Sequence, residues 1–369
     1  MPDEAKETYT DDEQLKVGTH SVKCSNCGSN MVFDPNTQKL YCPHCDSVKE
    51  FNTDTHTKEL DLATAFSKGK KWESDKTVVF KCENCGAKVV LNAGETAKNC
   101  PFCGTAHVQK TDELAGLKPN GVLPFLFDAV KAAEYCKAWV KKRLFAPSKF
   151  KRTLVPENVH GVYLPVFTFD SYTTSTYVGR LGKTHTKTVG SGKNQRQVTY
   201  TEWFNVSGTY YEDFDDVLIS AENRVGQKNL NKIAPFDTNN GKAYEERYLL
   251  GFMAYRYDRD LTDCWGDAKS VMDARIRSGI LSQYSYDKVD YLNVSTSHER
   301  VTFKYVMTPV YVGNYSYKTK VYNFYVNGTS GKVTGKTPKS FWRIAFAVLC
   351  GLIVAAAIGA LVYYLNLTE

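Results

Sequence analysis

Residues 23–45 read KCSNCGSNMVFDPNTQKLYCPHC, and residues 82–103 read CENCGAKVVLNAGETAKNCPFC. The two stretches are copies of one pattern. Each opens with C-x-N-C-G, closes with C-P-x-C and puts fourteen residues between its cysteine pairs. Two thiolates on one C-x-x-C turn reach a single ion, while backbone N–H groups of the turn steady their charge. Two such turns joined by a hairpin make a zinc ribbon. Cys24, Cys27, Cys42 and Cys45 are the expected ligands of one zinc ion, and Cys82, Cys85, Cys100 and Cys103 of a second. Four thiolates leave no position for water, so the expected role of each ion is structural. Rubredoxin-type iron shares the C-P-x-C knuckle and stays open as an alternative. A thioredoxin-like redox pair does not fit four pairs at this spacing.

Around this repeat the chain has 369 residues, eleven cysteines and a net charge of +7. Three cysteines lie outside the pairs: Cys136, Cys264 and Cys350. An odd total with close pairs points to metal binding in a reducing compartment, not to a disulfide framework. The first fifteen residues carry six acids against Lys6. Residues 1–19 are therefore expected to be a solvated, disordered tail with no secretory signal. Ribbon one is assigned to residues 20–50, a linker with one short helix near residues 60–68 to 51–77, and ribbon two to 78–110.

Residues 118–338 have a different character. Ala129, Ala132, Ala133, Cys136, Val140 and Leu144 recur at helical spacing up to Pro147. Leu261, Cys264, Trp265, Ala268, Val271, Met272 and Ile276 mark a second helix over 261–281. Cys136 and Cys264 sit on these apolar stripes as small core residues. Segments 162–169, 197–206, 301–306 and 320–326 are rich in Tyr, Val, Phe and Thr and predict strands. Asn327–Gly328 and Ser330–Gly331 signal turns. The expectation is a β-rich α+β domain with antiparallel sheet.

Residues 344–365, IAFAVLCGLIVAAAIGALVYYL, are 22 uncharged positions. As a helix they extend roughly 33 Å, against a hydrocarbon core of about 30 Å. Trp342, Tyr363 and Tyr364 flank the run, as interfacial aromatics do. Six cations and no acid lie between Lys318 and Arg343. The expectation is a single transmembrane helix over 341–365, a short tail over 366–369, and everything before the helix in the cytoplasm, at the cytoplasmic membrane. Gly351, Ala355 and Gly359 offer a small-residue face through which helices could pair into a homo-oligomer.

No catalytic constellation stands out, and the protein is expected not to be an enzyme. Gly182-Lys183-Thr184 lacks the earlier glycine of a phosphate loop, since Tyr177 stands there. Glu212, Asp213, Asp215 and Asp216 crowd one turn and suggest the solvated lead-in to an apolar strand. Arg180, Lys183, His185, Lys187, Lys193 and Arg196, with glycines between them, suggest a flexible basic hairpin tip. On the ribbon hairpins only Phe33, Lys39, Tyr41, Lys88 and Lys98 could meet a nucleic acid.

The order of parts resembles the bacterial tail-anchored double zinc-ribbon membrane proteins, whose ribbon is likened to that of transcription factor IIB or of the primosomal replication helicase. The resemblance rests on both ribbons, GVYLPVF at 161–167, YEDFDDVLISA at 211–221 and VNGTSGKVTG at 326–335. It implies partners among phage-shock-protein-A-like and flotillin-like proteins at the inner face of the membrane. One departure is Asp46, which stands where the rear knuckle usually has glycine. The function expected is a non-enzymatic, membrane-anchored zinc-ribbon scaffold that gathers partner proteins in a membrane stress response. The alternative is a membrane-tethered nucleic-acid-binding protein of replication or transcription.

Overall fold

The computed structural model describes residues 22–51, 55–68, 77–82, 88–90, 108–114, 117–152, 159–191, 195–255, 257–317 and 320–368. The acidic tail falls outside these residues, as do Lys98 and Lys193.

The first cysteine repeat folds as a small three-stranded antiparallel sheet, β1 (Val32–Asp34), β2 (Lys39–Tyr41) and β3 (Val48–Lys49). The segment read as a linker contributes β4 (Leu60–Asp61) and α1 (Leu62–Lys68). The second repeat contributes β5 (Thr77–Cys82) and β6 (Lys88–Val90), with β7 (Val108–Leu114) paired to β5. A short β8 (Gly121–Val122) then leads to α2 (Ala129–Lys141) and α3 (Ser148–Arg152). The helix expected over 128–145 ends at Lys141, and Pro147 opens α3, its C=O accepting from Lys151 N–H at 3.2 Å.

The β-rich region is built on strands far longer than the segments legible in the sequence. β9 (Val159–Val189) has 31 residues and β10 (Arg196–Ser220) has 25. After α4 (Gly226–Ile233), β11 (Lys242–Ala243), a 3-10 turn (Glu246–Leu249), β12 (Met253–Tyr255) and α5 (Leu261–Ser282), β13 (Lys288–Tyr317) adds 30 more. β14 (Lys320–Asn327), β15 (Val333–Gly335) and α6 (Phe341–Thr368) complete the chain. β9 is the centre of a blade, antiparallel to β10 on one side and to β13 on the other. At about 3.3 Å per residue, β9 has a contour of about 100 Å.

The sheet is mainly antiparallel, with parallel pairs between β12 and β9 and between β13 and β8. β4 joins it through Thr302 and Phe303 of β13, and β6 joins it through β12. The observed architecture is therefore α+β with a large β-rich domain.

The blade changes character at Asp170. From Tyr163 to Phe169 both faces of β9 are buried. From there to Leu181 the odd-numbered residues, such as Ser171, Tyr177 and Leu181, stay buried, while Tyr172, Val178 and Arg180 are exposed. The covering element on the buried side is α5, whose Cys264, Ala268, Met272, Ile276 and Ile280 form the expected apolar stripe. Cys136 on α2 is buried likewise, and burial pushes both isolated thiols up to about 12.

Gly179 and Gly182 of the basic hairpin lie within β9, and among the described residues the bend falls at Gly190, beyond the strand. Gly182 lies within β9 because a Cβ there would meet the Trp203 ring at 2.8 Å. Around it Arg180 faces Asp290 at 3.7 Å, His185 faces Glu202 at 3.2 Å and Lys187 lies over Tyr200.

Candidate metal centre

The first cluster is assembled by two matching knuckles. Cys24 C=O accepts from Gly28 N–H at 2.9 Å, and Cys42 C=O accepts from Asp46 N–H at 3.0 Å. Each turn closes again from the other side, where Cys24 N–H donates to Ser29 and Cys42 N–H to Ser47. Both knuckles need a residue in the left-handed region. Gly28 supplies it at φ +74°, and Asp46 adopts it at φ +58°. The turn geometry put in question by the missing glycine is thus kept, with the Asp46 carboxylate accepting from Tyr41 O–H at 2.5 Å. That bond holds the Tyr41 hydroxyl above its ordinary range.

The four Sγ atoms lie within 4.8 Å of one another, with Cys24–Cys45 at 3.6 Å and Cys27–Cys42 at 3.5 Å. A tetrahedral ion with metal–sulfur bonds of about 2.3 Å sets its thiolates about 3.8 Å apart. The cluster fits such an ion closely. Electrostatics agree. Backbone N–H groups of Cys27 and Asn26 lower the Cys24 thiol. The Ser29 hydroxyl and N–H do the same for Cys27, and those of Ser47 for Cys45. At Cys42 the His44 N–H also lowers the thiol, but burial and the neighbouring thiols outweigh it and push the pKa up to about 11. Four thiolates at this range need a shared cation, and a divalent ion supplies it.

The cysteine hairpin is not a free-standing module. Phe33, read as a surface side chain, is 3% exposed and sits in an aromatic cluster. Its ring lies 5.3 Å from Tyr248 and 6.2 Å from Phe51. Phe33 N–H donates to Leu250 C=O at 2.9 Å, and Gln38 Nε2 donates to Phe125 C=O at 2.7 Å. Asn36 Nδ2 reaches the Asp128 carboxylate, which caps α2 by accepting from Lys131 N–H. Truncating Phe33 to alanine is expected to cost ~3–5 kcal/mol while the metal stays bound. Denaturant melts alongside metal analysis would check both halves of that statement.

A second group of possible ligands, Asp170, Asp215 and Asp216, also has oxygens within 4.8 Å. Its centre is already served. The buried Lys304 ammonium lies 2.9 Å from Asp216 and 3.7 Å from Glu59. Asp170 accepts from Asp216 N–H at 2.6 Å and from Thr302 Oγ1 at 2.8 Å. Both outer strands bulge here, β10 between Phe214 and Val217 and β13 between Glu299 and Thr302. Of the acids expected to form a solvated lead-in, Asp213 and Asp215 are exposed within β10, whereas the bulge turns Asp216 inward. Burial raises the Asp170 pKa despite those two donors.

No family model matches the chain, and no solved structure matches it. The uncharacterized protein YdjG of Bacillus subtilis (strain 168) is 30% identical to it over 327 residues, spanning 88% of this chain and 92% of YdjG. The chain belongs to the YdjG family. A further stretch of likeness, 28% identical over 127 residues, links this YdjG-family chain to the serine-type anaerobic sulfatase-maturating enzyme of Klebsiella aerogenes. It spans 32% of the chain and 31% of that enzyme.

Of the eight expected ligands of the YdjG-family chain, the structure brings together Cys24, Cys27, Cys42 and Cys45. Cys82 ends β5, and Cys85, Cys100 and Cys103 lie outside the described residues. Of the candidate nucleic-acid contacts on the first hairpin, Phe33 is buried, Lys39 pairs with Glu50 at 2.7 Å and Tyr41 is held by Asp46. Lys304 was missed altogether. The one hint was a lysine in the strand-like run 301–306, VTFKYV, where Thr302 is the one other polar residue.

Proposed function

We propose that the chain is a non-enzymatic scaffold. It carries zinc in the Cys24 cluster and a second zinc at Cys82, Cys85, Cys100 and Cys103, and α6 fixes it across the cytoplasmic membrane. The observation that carries this reading is α6 itself. Its stretch Phe341–Ala360 is long and apolar enough to cross a bilayer, and none of it is buried against the rest of the chain. An apolar helix left bare by its own protein needs another cover, and lipid is the cover its length fits. The basic residues before it support a cytoplasmic side for the folded part. Partners confined to the same membrane layer then meet the scaffold at raised effective concentration. Phage-shock-protein-A-like and flotillin-like proteins are the partners that the family resemblance implies.

Among the described residues, the arrangement nearest to catalytic geometry fits a non-enzymatic role. Ser171 Oγ lies 3.2 Å from His298 Nδ1, beside a cleft of about 470 Å³ lined by Lys269, Asp273 and Arg277. Ser171 is only 2% exposed, so no substrate carbonyl reaches it. The metal cluster has no free coordination position. The occupied first hairpin weighs against nucleic-acid reading, which needs free aromatic and basic side chains.

Three measurements test the proposal. Metal analysis should return two zinc ions per chain, falling to one in Cys82→Ser; iron, or an unchanged two, counts against it. Alkaline extraction of native membranes should leave the full chain in the pellet and release a chain ending at residue 340. Crosslinked capture from those membranes should recover membrane proteins in a ribbon-dependent, nuclease-resistant way. A catch dominated by nucleic acid would favour the tethered reader instead.

A further inference from the structure

The chain between α2 and α3 lies about 200 residues before α6 in sequence, yet it is tied to the first turn of that helix. Ser340 N–H donates to Phe145 C=O at 2.7 Å, Arg343 Nη1 to Leu144 C=O at 2.9 Å and Arg343 Nη2 to Ser148 Oγ at 2.8 Å. Buried Ala146 and Phe150 pin the turn from beneath, and Arg143 lies flat over the Trp139 ring at 4.2 Å. The segment is therefore held in place, and what it shows to solvent is set by the fold.

What it shows is apolar at the tip and basic around it. Leu144 is 75% and Phe145 41% exposed, beside Phe341 at 75% and Trp342 at 80%. Residues 137–152 hold seven lysines and arginines and no acid. Lys336, Lys339 and Arg343 add three more cations on the chain entering α6. Soluble faces seldom leave four large apolar side chains bare inside one cluster of a single charge. At a bilayer the same arrangement is complementary, because apolar and aromatic side chains settle at the headgroup level while cations meet anionic phosphates.

We propose that the α2–α3 turn is a second membrane contact, a basic collar around the mouth of α6. Leu144 and Phe145 dip into the headgroup layer, and Lys141 and Lys142 meet anionic lipid. The inference rests on α6 crossing the bilayer, and it adds that the folded part is seated on the membrane in one orientation and prefers anionic lipid.

The test uses the full chain in nanodiscs of phosphatidylcholine alone or with one-third phosphatidylglycerol, read by hydrogen exchange. Each cation that meets an anionic surface strengthens contact by roughly fivefold. Amides of residues 141–147 should exchange several-fold more slowly in the anionic discs. Lys141→Glu combined with Lys142→Glu should abolish that difference while the exchange of β9 and α5 is unchanged. If α6 is shielded in both discs and residues 141–147 exchange equally in both, the collar is refuted and the anchor stands. If α6 is not shielded in either disc, both readings fall.

Discussion

Cys42→Ser is expected to empty the first metal cluster and to unseat the ribbon from the domain beneath it. Structural zinc sites contribute an apparent ~10–16 kcal/mol of binding at neutral pH, as much as a whole domain's stability. In a ribbon standing alone that energy would be the ribbon's only support. Here the hairpin also buries Met31, Phe33 and Leu40. Losing that seat costs roughly 1.5–3 kcal/mol per side chain. The variant should therefore melt in two stages, with an early loss of protection over residues 22–51 and a later one for the blade. A chelator should impose the same profile on the unaltered protein. Acidification should act in the same direction, since the thiolates must take up protons as the metal leaves, so affinity falls as pH falls. Hydrogen exchange with parallel zinc analysis reads all three. A Cys42→Ser protein that keeps its metal and its protection over residues 22–51 would sink the assignment.

Lys304→Ala should be the most damaging single change inside the blade. The lysine is buried, and its ammonium faces Asp216 and Glu59, with Asp170 held beside Asp216. Removing one member of a buried ion pair leaves the opposite charge without compensation and costs about 3–5 kcal/mol. Lys304→Met combined with Asp216→Asn removes both charges and should recover most of that loss. The pH dependence has a definite sign. Burial pulls the Lys304 pKa down, but the bond to Asp216 and the charges of Asp216, Asp170 and Glu59 carry it above the ordinary lysine value. Its stabilisation is then complete below about pH 10.5 and is lost as the pH rises through the folded pKa. Chemical denaturation from neutral to strongly alkaline pH should show the lysine-containing protein losing its advantage over the double variant. Equal stability of Lys304→Ala and the unaltered protein would show that the cluster is open to water.

Much of this architecture was legible because the signal is local. A C-x-x-C turn fixes two thiolates within four residues, and α6 announces itself by an unbroken apolar run. α5 was found from residues three and four apart, which neighbour one another on any helix. The blade was found only in pieces. Strand length depends on partners over a hundred residues away, and from residue 171 to 189 the even-numbered positions are mostly Thr while the odd-numbered ones include Ser171, Thr173, Ser175, Lys183 and Lys187, so neither face reads as apolar. The seat of the ribbon was beyond reach for the same reason, because Phe33 meets Tyr248 and Leu250 only after folding. The expectation of a second metal cluster at Cys82, Cys85, Cys100 and Cys103 rests on spacing alone.

The three long strands also constrain how such a chain can change. Each residue of β9 is matched on both flanks, to β10 and to β13, over most of the blade. Deleting a single residue from β9 would turn every side chain beyond it to the opposite face. Deleting two would restore the faces but leave both neighbours overhanging, so a shorter blade requires matched deletions in three separated segments. Length is thus quantised and locked by mutual fit, as in a ruler whose graduations are engraved on three bars at once. Insertions should be found at the hairpin end beyond Val189 or at the bulges beside Asp170, where the register is already broken, and not between them.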